Sequence, residues 1–222
     1  MLFNKLKIVV FVFGALALGG GIAAEAQTVS VELMTGTAYN LPTGLTVHQS
    51  GQPDLQITAN YDTNPFGDEA PYYSWRVGLW NGDEAWEIQH IHHKLYLSNT
   101  TAEIQDLEMC HGFNYFFLGH AWKRAELVFH AGIGPIVTHP QSIIRGQVQD
   151  SDHGGLFDAG YYISGIGIQG AVGKNLPLNP NLFVVLEVAA TAGWAWWAPT
   201  AGGYSEVTNL ALHGHVGMGY GF

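Results

Sequence analysis

Residues 209–222, NLALHGHVGMGYGF, alternate with a period of two. Leu210, Leu212, Val216, Met218, Tyr220 and Phe222 occupy even positions, while Asn209, Ala211, His213, His215 and three glycines occupy odd ones. Successive side chains point to opposite faces only in an extended strand, so this stretch is a strand with apolar surroundings on one side and polar or small neighbours on the other. A strand of that kind needs hydrogen-bonded partners on both edges, and the rest of the chain has to supply them.

The same alternation recurs at 29–40, 72–80, 86–97, 112–122, 127–138, 161–173 and 182–196. Eight segments of roughly ten residues match the length of a tilted strand crossing a bilayer. They are joined by three short turns, at Asn81-Gly82-Asp83, at Lys123-Arg124-Ala125 and at 174–180, and by long connections at 41–71, 98–111, 139–160 and 197–208. Asn-Gly is a strong hairpin signal. The regular exchange of long and short links predicts an all-β, eight-stranded antiparallel transmembrane β-barrel over 27–222, with long loops outside and both termini in the periplasm. Residues 45–49 and 55–61 also alternate, around Ser50-Gly51-Gln52-Pro53. They read as an extracellular hairpin, with a ten-stranded barrel as the alternative.

Which side of the sheet meets lipid follows from what each face carries. No segment after residue 26 has the apolar length of a spanning helix, so a membrane location requires a closed sheet. Trp75, Trp86, Trp194, Trp196, Tyr220 and Phe222 fall near strand ends on the apolar face, as interfacial girdles do. The opposite face holds too many polar groups for a dry core. At the other end of the chain, Lys5 and Lys7, an apolar run at 8–18 and Ala24-Glu25-Ala26 read as a signal peptide over 1–26. Removing Lys5, Lys7 and Glu25 from eight basic and eighteen acidic residues leaves six against seventeen, an acidic chain with no expected nucleic-acid partner. With one cysteine, Cys110, an exported chain has no intramolecular disulfide to rely on.

These segments, together with the terminal Tyr220-x-Phe222, resemble the small monomeric outer-membrane barrels of the OmpA transmembrane-domain and OmpX type. That resemblance implies a place in the outer membrane of a Gram-negative bacterium. It also implies a monomer surrounded by membrane lipid and lipopolysaccharide, and a C-terminal strand recognised by the barrel assembly machinery. It carries no activity with it, because fold does not determine function.

An eight-stranded barrel is just wide enough for side chains to fill it. The expected filling is a hydrogen-bonded plug of Glu32, Arg76, Glu87, His92, Lys94, His130, Gln169, Glu187, His213 and His215, in which Arg76 and Lys94 compensate the carboxylates. Bringing His92 and Lys94 inward requires a β-bulge near Gln89 and His90, which also turns Ile91, Leu95 and Leu97 outward and leaves His93 facing out.

Other chemistry is open to these residues. His213 and His215, two apart on one face, could share a metal ion, and Asp150 and Asp152 could hold a hard cation in the loop QVQDSDHGG. The plain alternatives are plug residues and a solvated acidic rim. Small outer-membrane barrels also include lipid A hydrolases and acyltransferases resembling PagL and PagP. For such an activity His93 or His139 would be the base and Ser98 or Ser142 the nucleophile. No cofactor is expected.

Overall fold

A computed structural model describes residues 27–64, 71–149 and 153–222. The proposed leader over 1–26, Asp150 and Asp152 lie outside the described residues. The elements are β1 (Thr28–Leu41), β2 (Thr43–Gln49), β3 (Leu55–Ala59), β4 (Tyr61–Asp62), β5 (Tyr73–Asn81), β6 (Glu84–His92), β7 (Leu95–Leu97), β8 (Ile104–Arg124), β9 (Leu127–Ile144), β10 (Gln147–Gln149), β11 (Tyr162–Pro177), β12 (Leu182–Thr200) and β13 (Gly203–Gly221).

Eight of these close a ring of antiparallel neighbours, β1-β5-β6-β8-β9-β11-β12-β13, and β13 pairs back onto β1 from Ser30↔Gly221 to Leu41↔Leu210. Closure leaves the ring no strand edge to satisfy in lipid. The outward face carries Leu33, Tyr39, Ile88, Leu118, Ile133, Ile168, Val188, Leu212 and Val216, all exposed. A soluble barrel turns such residues inward, so this outward belt is the physical basis for a bilayer-spanning barrel. Trp86, Tyr220 and Phe222 rim the short-turn end, and Trp194 and Trp196 rim the other.

The strands reach further than alternation alone indicates. β8 begins at Ile104, β9 runs to Ile144, and β12 and β13 meet at Ala201-Gly202, so much of 98–111, most of 197–208 and the first residues of 139–160, expected as loops, are strand. β2 pairs with β3 and with the first residues of β13, from Gly203↔Gln49 to Val207↔Leu45. It continues the line of β1 above the belt, so the 45–61 segment adds height to the wall and the ring stays at eight.

The expected bulge at Gln89 and His90 is absent. The β5–β6 register is unbroken from Tyr73↔His92 to Asn81↔Glu84, and the β6–β8 register from Glu84↔Trp122 to Ile91↔Tyr115. Simple alternation therefore holds, which directs Glu87, Gln89 and Ile91 inward and His90 and His92 outward. The outward histidines are tolerated because aromatic rings cover them: His90 lies 4.5 Å from Phe116 and 5.7 Å from Trp75, and His92 stacks on Tyr73 at 4.8 Å. The irregularities occur elsewhere, including between Met109 and Phe113 of β8 and between Ala195 and Ala198 of β12. The second turns both Trp196 and Trp197 outward at the upper interface, each nearly half exposed.

Inside, the filling is layered. Trp80, Ala85, Ala121 and Val128 close the short-turn end. Charged and polar groups fill the middle. Above them Ile91, Leu95, Leu107, Met109, Phe113, Tyr115, Phe117 and Ile136 form an apolar core that the alternation did not reveal. This corrects the expectation of a wholly polar lumen, and it moves Ile91, Leu95 and Leu97 from the lipid face to the interior.

Candidate functional site

The middle layer is organised by Arg76, which is 1% exposed. β1 and β5 set Glu32 directly across from it, and Arg76 Nη1 donates to Glu32 Oε2 at 2.8 Å. Its Nη2 donates to Glu187 Oε2 on β12 at 2.6 Å and to Gln89 Oε1 at 3.2 Å, and its Nε lies 3.7 Å from Glu87 Oε2. His130 on β9 bridges Glu87 and Glu187, at 2.8 Å through Nδ1 and 3.4 Å through Nε2. His215 Nδ1 meets Glu187 Oε1 at 2.8 Å, and Gln169 Nε2 donates to Gln89 Oε1. Three carboxylates thus face one guanidinium and two imidazoles. Groups this deep are tolerated only because they satisfy one another.

Tyr72 caps this layer. Its hydroxyl bridges His213 Nδ1 at 2.8 Å and His215 Nε2 at 2.6 Å, and Thr191 Oγ1 contacts His213 Nε2 at 2.8 Å. All four ring nitrogens of His213 and His215 therefore have protein partners. The strand spacing that suggested a shared metal instead serves a hydrogen-bond chain running from Thr191 to Glu187. Two other members of the expected plug are elsewhere. His92 faces out beneath Tyr73, its Nδ1 2.8 Å from Asn114 Oδ1. Lys94 follows the break after β6, where its N–H donates to Asn64 Oδ1 at 2.9 Å and its charge acts on Cys110. His92 is off the lumen because the inward parity of β6 is that of Glu87, Gln89 and Ile91, and Lys94 lies beyond the end of the strand.

The proposed catalytic pairs are dispersed. His93 is fully buried among the rings of Tyr72 and His213. Ser98 is bonded to the Asn60 carbonyl at 3.1 Å, and Ser142 accepts from the Ala201 N–H at 3.0 Å. His139 and Ser142, an odd number of residues apart on β9, project to opposite faces, since Ser142 follows the inward Ile144 and Ile136 parity.

No protein-family model matches the sequence, and no curated protein matches it. Among solved structures, the barrel is similar to Ail, the attachment invasion locus protein of Yersinia pestis, at 10% identity and a TM-score of 0.42 over 88% of this chain and 97% of that one. It is also similar to Neisserial surface protein A, at 8% identity and a TM-score of 0.39 over 87% and 96%, and to the outer membrane protein AlkL, at 11% and 0.44 over 94% and 96%. At these identities and scores the likeness carries no functional content, and the membrane assignment rests on the barrel's own closed ring and apolar outer belt.

One group escaped the sequence reading. Just above the belt, Cys110 Sγ lies 3.3 Å from Nδ1 of His111 and 3.3 Å from Nδ1 of His139. Burial, and then the Glu108 carboxylate, push the Cys110 thiol up to about 11, so it is not an activated nucleophile. The adjacency of Cys110 and His111 was visible in the sequence. His139 joins them only because β8 pairs with β9 at Met109↔Pro140.

Proposed function

We propose that this protein is a monomeric barrel of the Gram-negative outer membrane that does not conduct solutes and that presents a rigid wall of strands outside the cell for surface contacts or envelope integrity. The observation that carries this reading is the continuity of the interior filling. Trp80 bonds Ser30 at the lower end, the Arg76 network spans the middle, and Tyr115, Phe113 and Phe117 fill the top with 1% exposure or less. Among the described residues, this filling supports a lumen without a continuous water path. Lipopolysaccharide and membrane lipid are the immediate neighbours of the outward belt, and the β13 end is the element offered to the assembly machinery.

The test is electrical. Folded protein reconstituted in planar bilayers is expected to leave the baseline free of conductance steps, and resolved single-channel steps from wild-type protein would overturn the closed-barrel reading. In a host of defined lipid A, expression of the folded protein is expected to leave lipid A masses unchanged. A new acylation state would replace this reading with the enzymatic one.

A further inference from the structure

We propose that Cys110, His111 and His139 form a binding site for a single borderline transition-metal cation, of which Zn²⁺ is the best match, on the extracellular rim of the barrel. Their ligand atoms all lie within 4.8 Å of one another. Tetrahedral bonds of about 2.3 Å to sulfur and about 2.0–2.1 Å to nitrogen set S···N separations of roughly 3.5 Å. The two observed S···N separations of 3.3 Å match that value to within a few tenths of an ångström, and the two imidazole nitrogens lie within 4.8 Å of each other.

The backbone builds this convergence. Consecutive strand residues normally point to opposite faces, so Cys110 and His111 could not both reach His139 from a regular β8. Between Met109 and Phe113 the register shifts, four steps on β8 facing two on β9. Gly112 makes the detour with a φ of +119°, and a Cβ there would stand 2.3 Å from Asn114 Nδ2. Asn114 in turn donates to the His111 carbonyl at 3.1 Å. Bulges of this sort re-aim side chains beside sites.

The three ligands also differ usefully in exposure. His139 is buried and braced edge-on against Tyr161 at 4.7 Å, Cys110 is half-buried, and His111 is exposed. A fourth position therefore opens toward solvent, where water completes the shell. Thiolate with two imidazoles selects borderline and soft ions over Mg²⁺ and Ca²⁺. On binding, the S–H bond breaks, an S–metal bond forms, and one proton leaves to solvent.

Tag-free protein folded in detergent micelles, titrated with Co²⁺ as a spectroscopic probe, is expected to develop thiolate-to-cobalt charge-transfer absorption that saturates at one equivalent and is bleached by Zn²⁺. Cys110→Ser and His139→Gln are expected to weaken Zn²⁺ binding by at least roughly tenfold, whereas His120→Gln, at the short-turn end, leaves it unchanged. Folding of each variant is checked by heat-modifiable gel mobility. Independently of any variant, Zn²⁺ but not Mg²⁺ is expected to slow alkylation of Cys110 in the wild-type protein. Equal Zn²⁺ retention by wild type and Cys110→Ser, or alkylation insensitive to Zn²⁺, would overturn the site. Competition with Cu⁺ ranks the two candidate ions, and a preference for Cu⁺ would replace Zn²⁺ as the occupant.

Discussion

Replacing Arg76 by Met removes the guanidinium that holds three buried carboxylates together while keeping much of its apolar stem. The structure sets the scale. Arg76 makes a 2.8 Å pair with Glu32 and a 2.6 Å pair with Glu187, all three side chains being 2% exposed or less. Breaking one buried pair by deleting a partner costs about 3–5 kcal/mol, because the surviving charge stays desolvated. Here His130 and His215 remain beside Glu187 and offset part of the loss. The expected destabilisation is therefore about 4 kcal/mol, roughly three decades in the folding equilibrium. Urea unfolding in lipid vesicles, followed by tryptophan fluorescence and gel mobility, measures it. Adding Glu187→Gln is expected to restore part of the loss, with a coupling of about 1–3 kcal/mol. For contrast, Lys174→Ala loses an exposed pair to Glu126, whose carboxylate is 79% exposed, and is expected to leave the urea midpoint nearly unchanged. A loss below about 1 kcal/mol for Arg76→Met would refute the view that this arginine organises the plug.

Three further outcomes follow from particular contacts. Gly193→Ala would drive a Cβ to 2.6 Å from the Tyr115 hydroxyl in the upper core, and is expected to lower stability by about 1–3 kcal/mol in the same urea assay. Ala125, in the exposed turn after β8, has a φ of 54°, so Ala125→Gly should raise the urea midpoint by an amount equivalent to about 0.5–1 kcal/mol. The Cys110 thiol is held up at about 11 by burial, so the folded state keeps its proton where an unfolded chain would begin to lose it. Metal-free protein is thus expected to alkylate slowly at neutral pH and faster as pH climbs toward 11. The sign for stability is a loss as pH rises above the unfolded thiol value, and a rate at neutral pH equal to that of the urea-unfolded chain would contradict the burial.

Alternation specified most of the ring because inward and outward positions repeat every two residues. Glu32, Arg76, Glu87, His130, Gln169, Glu187, His213 and His215 all face the lumen as that parity requires. The upper storey was hidden because alternation names a face and not the chemistry at each height along it: Ile91, Phe113, Tyr115, Phe117 and Ile136 keep the inward parity yet are apolar. Register shifts between Ile104 and Asp106, and between Ala195 and Ala198, exchange parity only near the far ends of β8 and β12. In β6 the opposite error arose. The sequence offered three histidines and a lysine that looked too polar for an outer face, and the remedy of a bulge ignored the covering rings of Tyr73, Trp75 and Phe116, which come from neighbouring strands.

The sequence by itself determined the architecture: period-two segments of spanning length, turns in the right places, and an apolar face whose only consistent environment is lipid. These are local properties of neighbouring residues. Tertiary structure alone decided which polar groups meet. Arg76 reaches Glu187 across 111 residues, Tyr72 reaches His215 across 143, and Cys110 reaches His139 across 29, each through strand pairings and bulges whose register no single segment encodes. Alternation fixes the face of a side chain, whereas its partner depends on the height at which every strand around the ring is staggered.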